Sequence, residues 1–193
     1  MNLPNALTIL RFLLAIGFIL ALRRAELRYV ILATILFLVA TITDFFDGYF
    51  AKKKNLVSNF GKIMDPIADK FLLLSAFFIF MRMQLIAPWM FYVILVREVV
   101  VTGSRLLAVS KGIVIAAEQI GKYKTVSQMI AVCGILSYLW WAKMSSPVIV
   151  PSAAMDQWQQ FIFVLMVLTV GLTLFSGISY FWNNRGNLTR LLY

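Results

Sequence analysis

Four aspartates carry the pattern in this chain that most clearly suggests chemistry. Asp44, Asp47, Asp65 and Asp69 make up half of the eight acidic residues and fall close together in an otherwise apolar, basic sequence. At 3.6 residues per turn, Asp44, Asp47, Gly48 and Ala51 share one stripe of a helix, and Gly61, Asp65, Ala68 and Asp69 share another. A hairpin joining the two would face two carboxylate pairs across a gap bordered by glycine and alanine. Carboxylates set so close repel one another unless divalent cations lie between them. With oxygen ligands alone, the preferred ions are hard ones, Mg²⁺ first, with Mn²⁺ or Ca²⁺ as further options. Two such ions about 4 Å apart clamp a phosphoryl group, and the small neighbours let a diphosphate approach.

The setting sharpens this reading. Asp44 and Asp47 lie near the end of an apolar run, where an ionised carboxylate costs roughly 2.5 to 3.5 kcal/mol on insertion scales. Two simpler accounts compete. The acids could pair with Lys52, Lys53, Lys54, Lys62 and Lys70 in a charged surface loop, or line a cation pathway. Four acids in helical register fit the loop poorly, and the other apolar runs supply almost no acids to continue a pathway.

The elements that must hold these residues follow from composition. Of 193 residues 62% are apolar and 13% charged, with 18 Lys+Arg and a formal net charge of +10. A water-soluble core of this size needs less apolar surface, so the chain reads as an all-α integral membrane protein. Its length suits one membrane-embedded catalytic domain spanning residues 1–193. The excess of positive charge suits anionic headgroups and phosphates rather than nucleic acid. With no His, the His-dependent hydrolases and His-ligated zinc sites are excluded, and any base must be a carboxylate, Lys or Tyr. The single Cys133 lies in an apolar run and reads as packing.

Apolar stretches of about 20 residues predict six transmembrane helices, near Ala6 to Leu22, Tyr29 to Phe50, Pro66 to Ile86, Trp89 to Val109, Tyr123 to Met144, and Trp158 to Trp182. The first continues through Arg11 without a small-residue cleavage site and reads as a retained span. Most Lys and Arg outside the spans fall on one side, which places both termini in the cytoplasm, although Arg23, Arg24 and Arg28 in the first outer loop argue locally the other way.

The string Asp44-x-x-Asp47-Gly48-x-x-Ala51-Lys52, eight residues, then Gly61-x-x-x-Asp65-x-x-x-Asp69 resembles the signature of the CDP-alcohol phosphotransferases, with every spacing matched. The one departure is Lys52 where the family has Arg, which keeps the charge but loses the planar fork that grips a phosphate. The resemblance implies that family's six-helix bundle and a homodimer. Three further stretches resemble the branch of the family that uses glycerol-3-phosphate. They are Asn2 to Arg11, Arg97-Glu98, and Gly121 to Thr125.

The reaction that the resemblance implies is transfer of a phosphatidyl group from CDP-diacylglycerol to glycerol-3-phosphate, with release of CMP, in phospholipid biosynthesis at the inner membrane. Asp44, Asp47, Asp65 and Asp69 would hold two Mg²⁺, and Asp69 would also take the acceptor's hydroxyl proton. Gly48, Ala51, Lys52 and Gly61 would line the nucleotide side, where Asn5 and Thr8 would bond the cytidine or its ribose, or else simply start the first helix after Pro4. A phosphate-bearing acceptor needs fixed cations, and Arg97, Arg105, Lys122 and Lys124 are the candidates, Gly121, Lys124 and Gln128 sharing a stripe. For Arg97 a purely structural pairing with Glu98 or another helix's acid is the alternative.

The cations favour an anionic acceptor over choline or ethanolamine. They leave open inositol phosphate and phosphatidylglycerol. A membrane prenyltransferase and a divalent-cation transporter are the readings from other classes. The first usually carries a second acidic motif and more spans, and the second has no need of glycines at these offsets.

Overall fold

Long apolar runs surrounded by lipid have no water to satisfy their amides, so they close their backbone hydrogen bonds internally as helices. The computed structural model describes residues 3–24, 26–54, 59–111, 119–144 and 152–186, with side chains for 9–24, 26–43, 67, 70–111, 120–144 and 155–186. Within these it holds six helices and no strand: α1 (Leu3–Leu22), α2 (Leu27–Lys54), α3 (Asn59–Arg82), α4 (Pro88–Ser110), α5 (Gln119–Met144) and α6 (Ser152–Asn183).

The helices match the expected spans in order and number, and their ends differ for local reasons. α3 starts at Asn59, about two turns before Pro66, so the proline lies inside the helix rather than at its head. It stops at Arg82, before the expected Ile86. There Gln84 takes a left-handed conformation (φ 60°), while the Leu85 amide donates to Phe80 O and the Gln84 amide to Met81 O, each at 3.0 Å. This pair of bonds is the Schellman stop, which satisfies the last carbonyls and turns Ile86 back into the core. α4 then begins at Pro88, whose fixed φ and missing N–H suit a first helical position.

Packing is inverted relative to a protein in water. Leu13, Ile35, Val96, Leu107, Leu168 and Phe175 face outward, whereas Arg11, Glu98, Lys124, Gln128, Thr169, Thr173 and Ser176 are buried. Such an arrangement is stable when the surrounding solvent is hydrocarbon and the polar groups satisfy one another inside. Hydroxyls are absorbed locally, as where Thr34 donates to Val30 O at 2.8 Å and Thr173 to Thr169 O at 2.7 Å.

Small residues set the helix spacing. Ala15, Ala33, Ala40 and Ala76 are fully buried and let α1, α2 and α3 approach, with Phe18, Phe37, Phe77 and Phe80 filling the layer between. Among the described residues α2 and α3 pack chiefly against α1 rather than against each other. The expected hairpin is therefore a three-helix unit wedged by α1. α5 and α6 form a second pair, joined to the first through α4 and α5.

Two helical stretches, Ile120–Met144 and Met155–Asn183, are long and apolar enough to cross a membrane, and shorter apolar stretches run over Ile9–Leu22 and Leu27–Thr43. α4 carries three charged residues, Arg97, Glu98 and Arg105, along its length. Cys133 is exposed rather than packed. It lines an apolar groove of about 460 Å³ with Thr34, Phe37 and Trp140, because its position on α5 turns outward toward α2.

Candidate functional site

The polar interior is concentrated where α3, α4 and α5 meet. On α4, residues Glu98, Val101, Thr102 and Arg105 form one stripe, and on α5 Gly121, Lys124, Thr125 and Gln128 form another. Lys70 completes the arrangement from α3. A cavity of about 420 Å³ opens between the three helices, lined by Lys70, Arg97, Glu98, Arg105, Lys122 and Lys124 together with Thr102, Gly121, Thr125 and apolar residues. All four cations expected from the sequence to serve the acceptor thus stand around one space, joined by Lys70.

Glu98 is the centre of this site. It is 2% exposed and takes cations from three helices. Lys124, itself 1% exposed, donates to its Oε1. Arg97 Nη1 reaches the same oxygen at 3.2 Å, and Lys70 Nζ lies 3.1 Å from Oε2. Gln128 Nε2 donates to Oε1 at 3.5 Å and to Thr173 Oγ1 at 3.4 Å, which ties the cluster to α6. Burying one carboxylate beneath several cations offsets its charge and leaves the cluster of described residues with net positive charge. That surplus calls for an anion in the cavity.

The other arginines are held by different means. Arg97 Nη2 donates to Ser176 Oγ at 2.7 Å, and its stem lies over Gly177, where a Cβ would fall 3.2 Å from Arg97 Cγ. The missing side chain is what lets α4 send an arginine across α6. Arg105 rests its guanidinium 5.1 Å from the ring centre of Tyr180, whose hydroxyl shares a 3.1 Å hydrogen bond with Ser104. Arg105 Nε is buried without a hydrogen-bond partner among the described residues. Lys122 is exposed at the cavity rim.

Two further spaces adjoin the cavity. Lys70, Thr125 and Met129 also line a smaller one of about 160 Å³ with Arg11 and Thr41, toward α1 and α2. Arg97 and Val101 form part of a groove of about 740 Å³ between α4 and α6, apolar apart from Arg97 and Arg185.

Asp44, Asp47, Gly48, Ala51 and Lys52 lie on the continuous backbone of α2, and Gly61, Asp65 and Asp69 on that of α3, so the helical register read from spacing stands. Their side chains, with those of Asn5 and Thr8 on α1, lie outside the described residues. No group of three metal-ligating side chains occurs among the described residues. The donor set itself, four carboxylates at one-turn spacing, has the chemistry Mg²⁺ requires.

Sequence reasoning did not single out Glu98 or Lys70 as site residues. For Glu98 the signal was present, since it lies seven residues before Arg105 on the same helical face. For Lys70, directly after Asp69, nothing local separates a cavity lysine from a surface one.

An all-helical fold with apolar outward faces, a polar interior and an aspartate register along two of its helices is that of a membrane-associated protein. The chain belongs to the CDP-alcohol phosphatidyltransferase family, which it matches over residues 1–175. A Bacillus subtilis protein named CDP-diacylglycerol--glycerol-3-phosphate 3-phosphatidyltransferase is 50% identical over 102 residues, 53% of each chain. Proteins of the same name from Rickettsia felis and Mycoplasma pneumoniae are each 34% identical. The first match spans 180 residues, 93% of each chain, and the second spans 158, covering 71% of this chain and 70% of its relative.

Proposed function

We propose that this chain transfers a phosphatidyl group from CDP-diacylglycerol to glycerol-3-phosphate, giving phosphatidylglycerophosphate and CMP. The observation that carries the reading is the adjacency of Asp69 and Lys70 on α3. The last aspartate of the signature is followed at once by a lysine that lines the basic cavity, which supports a reading in which the carboxylates assigned to the metal and the pocket assigned to the phosphate share one helix. The relatives named for these two substrates agree with it.

In this reading Asp44, Asp47, Asp65 and Asp69 hold two Mg²⁺, with Mn²⁺ as a substitute, which when bound neutralise the diphosphate and stabilise charge on the leaving CMP oxygen. Gly48, Ala51, Lys52 and Gly61 accept the nucleotide end, with Asn5 and Thr8 on the base or ribose. Arg97, Arg105, Lys122 and Lys124 hold the acceptor's phosphate, which leaves its primary hydroxyl, at the end away from that phosphate, turned toward α3. Asp69 takes the proton from that hydroxyl as its oxygen attacks the β-phosphorus. The new P–O bond forms as the bond to the CMP oxygen breaks. No histidine is needed.

The same reading makes residues 1–193 one catalytic domain of six spans in the cytoplasmic membrane, termini inside and site facing the cytosol, working as a homodimer. The apolar α4–α6 groove that shares Arg97 with the cavity supports a site reached from both cytosol and bilayer.

The test is CMP release by purified protein given CDP-diacylglycerol, Mg²⁺ and one acceptor at a time: glycerol-3-phosphate, inositol phosphate, serine or phosphatidylglycerol. Glycerol-3-phosphate should dominate, and EDTA should stop the reaction until Mg²⁺ is restored. Preference for another acceptor overturns the substrate assignment, and release that survives EDTA overturns the metal.

A further inference from the structure

We propose that Glu98 is the positioning residue of the acceptor pocket, a buried anion that gathers Lys70, Arg97 and Lys124 from three helices into the geometry that receives the acceptor's phosphate. This rests on reading the α3–α4–α5 cavity as the acceptor's pocket.

The physical problem it solves is specific. Lysine and arginine side chains are long and extend toward water when nothing holds them, and like charges gathered in one place push one another apart. Lys124 is nevertheless 1% exposed and Arg97 has a side chain 11% exposed. Both converge on Glu98 Oε1, while Lys70, reaching from α3, faces Oε2 without hydrogen-bond alignment.

One carboxylate cannot use all the donors brought to it. Each ammonium has three N–H groups, and Glu98 is the only partner recorded for either Lys70 or Lys124 among the described residues. Around the cavity five cations, counting Arg105 and Lys122, stand against this single described carboxylate. Glu98 therefore draws the cations inward without cancelling them, and the donors left over serve a tetrahedral anion in the cavity. Gln128 donates to Glu98 Oε1 at 3.5 Å and to Thr173 Oγ1 at 3.4 Å, which links the cluster to α6.

The experiment uses the full-length protein in detergent micelles. Glu98→Gln keeps the size and removes the charge. The KM for glycerol-3-phosphate should rise about tenfold or more while that for CDP-diacylglycerol stays within about twofold, and Glu98→Asp should recover part of the loss. In a Lys124→Met background, adding Glu98→Gln should raise the acceptor KM by a clearly smaller factor than it does in the parent, because part of its effect runs through the contact with Lys124 while the contacts with Lys70 and Arg97 remain. Equal effects on both substrates, no effect on either, or full additivity in the double variant would each overturn the proposal.

A readout independent of turnover separates this from the assignment of the acceptor. Inorganic phosphate titrated by ³¹P NMR should bind Glu98→Gln about tenfold more weakly than the parent protein. If the parent binds phosphate yet releases no CMP with glycerol-3-phosphate, the substrate reading falls and Glu98 is judged on this titration. If CMP release stands and the variant titrates like the parent, the role of Glu98 falls alone.

Discussion

The aspartate register of α2 and α3 and the basic cavity of α3, α4 and α5 meet at Asp69 and Lys70, yet the chain builds them in opposite ways. The acidic part is local: each pair of carboxylates comes from residues three or four apart on one helix, so forming the helix aligns them. The basic part is nonlocal. Lys70 reaches Glu98 across 28 positions of sequence and Lys124 reaches it across 26, and neither meets it before the bundle assembles. In the proposed reading a motif of fixed spacing therefore carries the chemistry, while the pocket assigned to the acceptor depends on how three helices pack.

The largest effect should come from the local region. Asp69→Asn removes the proposed base and one metal ligand together, so turnover should fall by about 10³-fold or more with the helical circular-dichroism signal unchanged. Near-normal CMP release would erase the contrast by taking the catalytic role from this stripe. A smaller and differently shaped loss belongs to the cavity. Lys124→Ala and Arg105→Ala should each raise the acceptor KM by about 10- to 100-fold, the value of a charge-assisted hydrogen bond, and leave the KM for CDP-diacylglycerol within about twofold. The reverse pattern would put the nucleotide where the acceptor is assigned. The smallest effect tests the packing beneath. Gly177→Ala brings a Cβ to 3.2 Å from Arg97 Cγ, and the arginine must give by a few tenths of an ångström. The acceptor KM should shift about two- to fivefold, with a loss of stability below about 1 kcal/mol in thermal unfolding. No change in either would show that Arg97 has slack and that its path over α6 is not set by Gly177.

Six apolar stretches announced six helices because hydrocarbon leaves a backbone no other partner, and their order was legible throughout. Helix ends were less so. The stop of α3 at Arg82 depends on a left-handed Gln84, a residue type that advertises no such conformation. The wedge of α1 between α2 and α3 was hidden for a related reason, since fully buried alanines such as Ala15 and Ala33 permit close approach without naming the partner.

By itself the sequence determined the chemistry available to this protein. It supplies carboxylates in helical register, no histidine, a surplus of cations and long apolar stretches to carry them. These are properties of composition and of spacing within a helix, where 3.6 residues per turn converts position into direction. Only the tertiary structure decided which cations share a pocket and that Glu98, not a surface neighbour, gathers them. That outcome follows from which faces of separate helices touch, and separation along the chain says nothing about such contact.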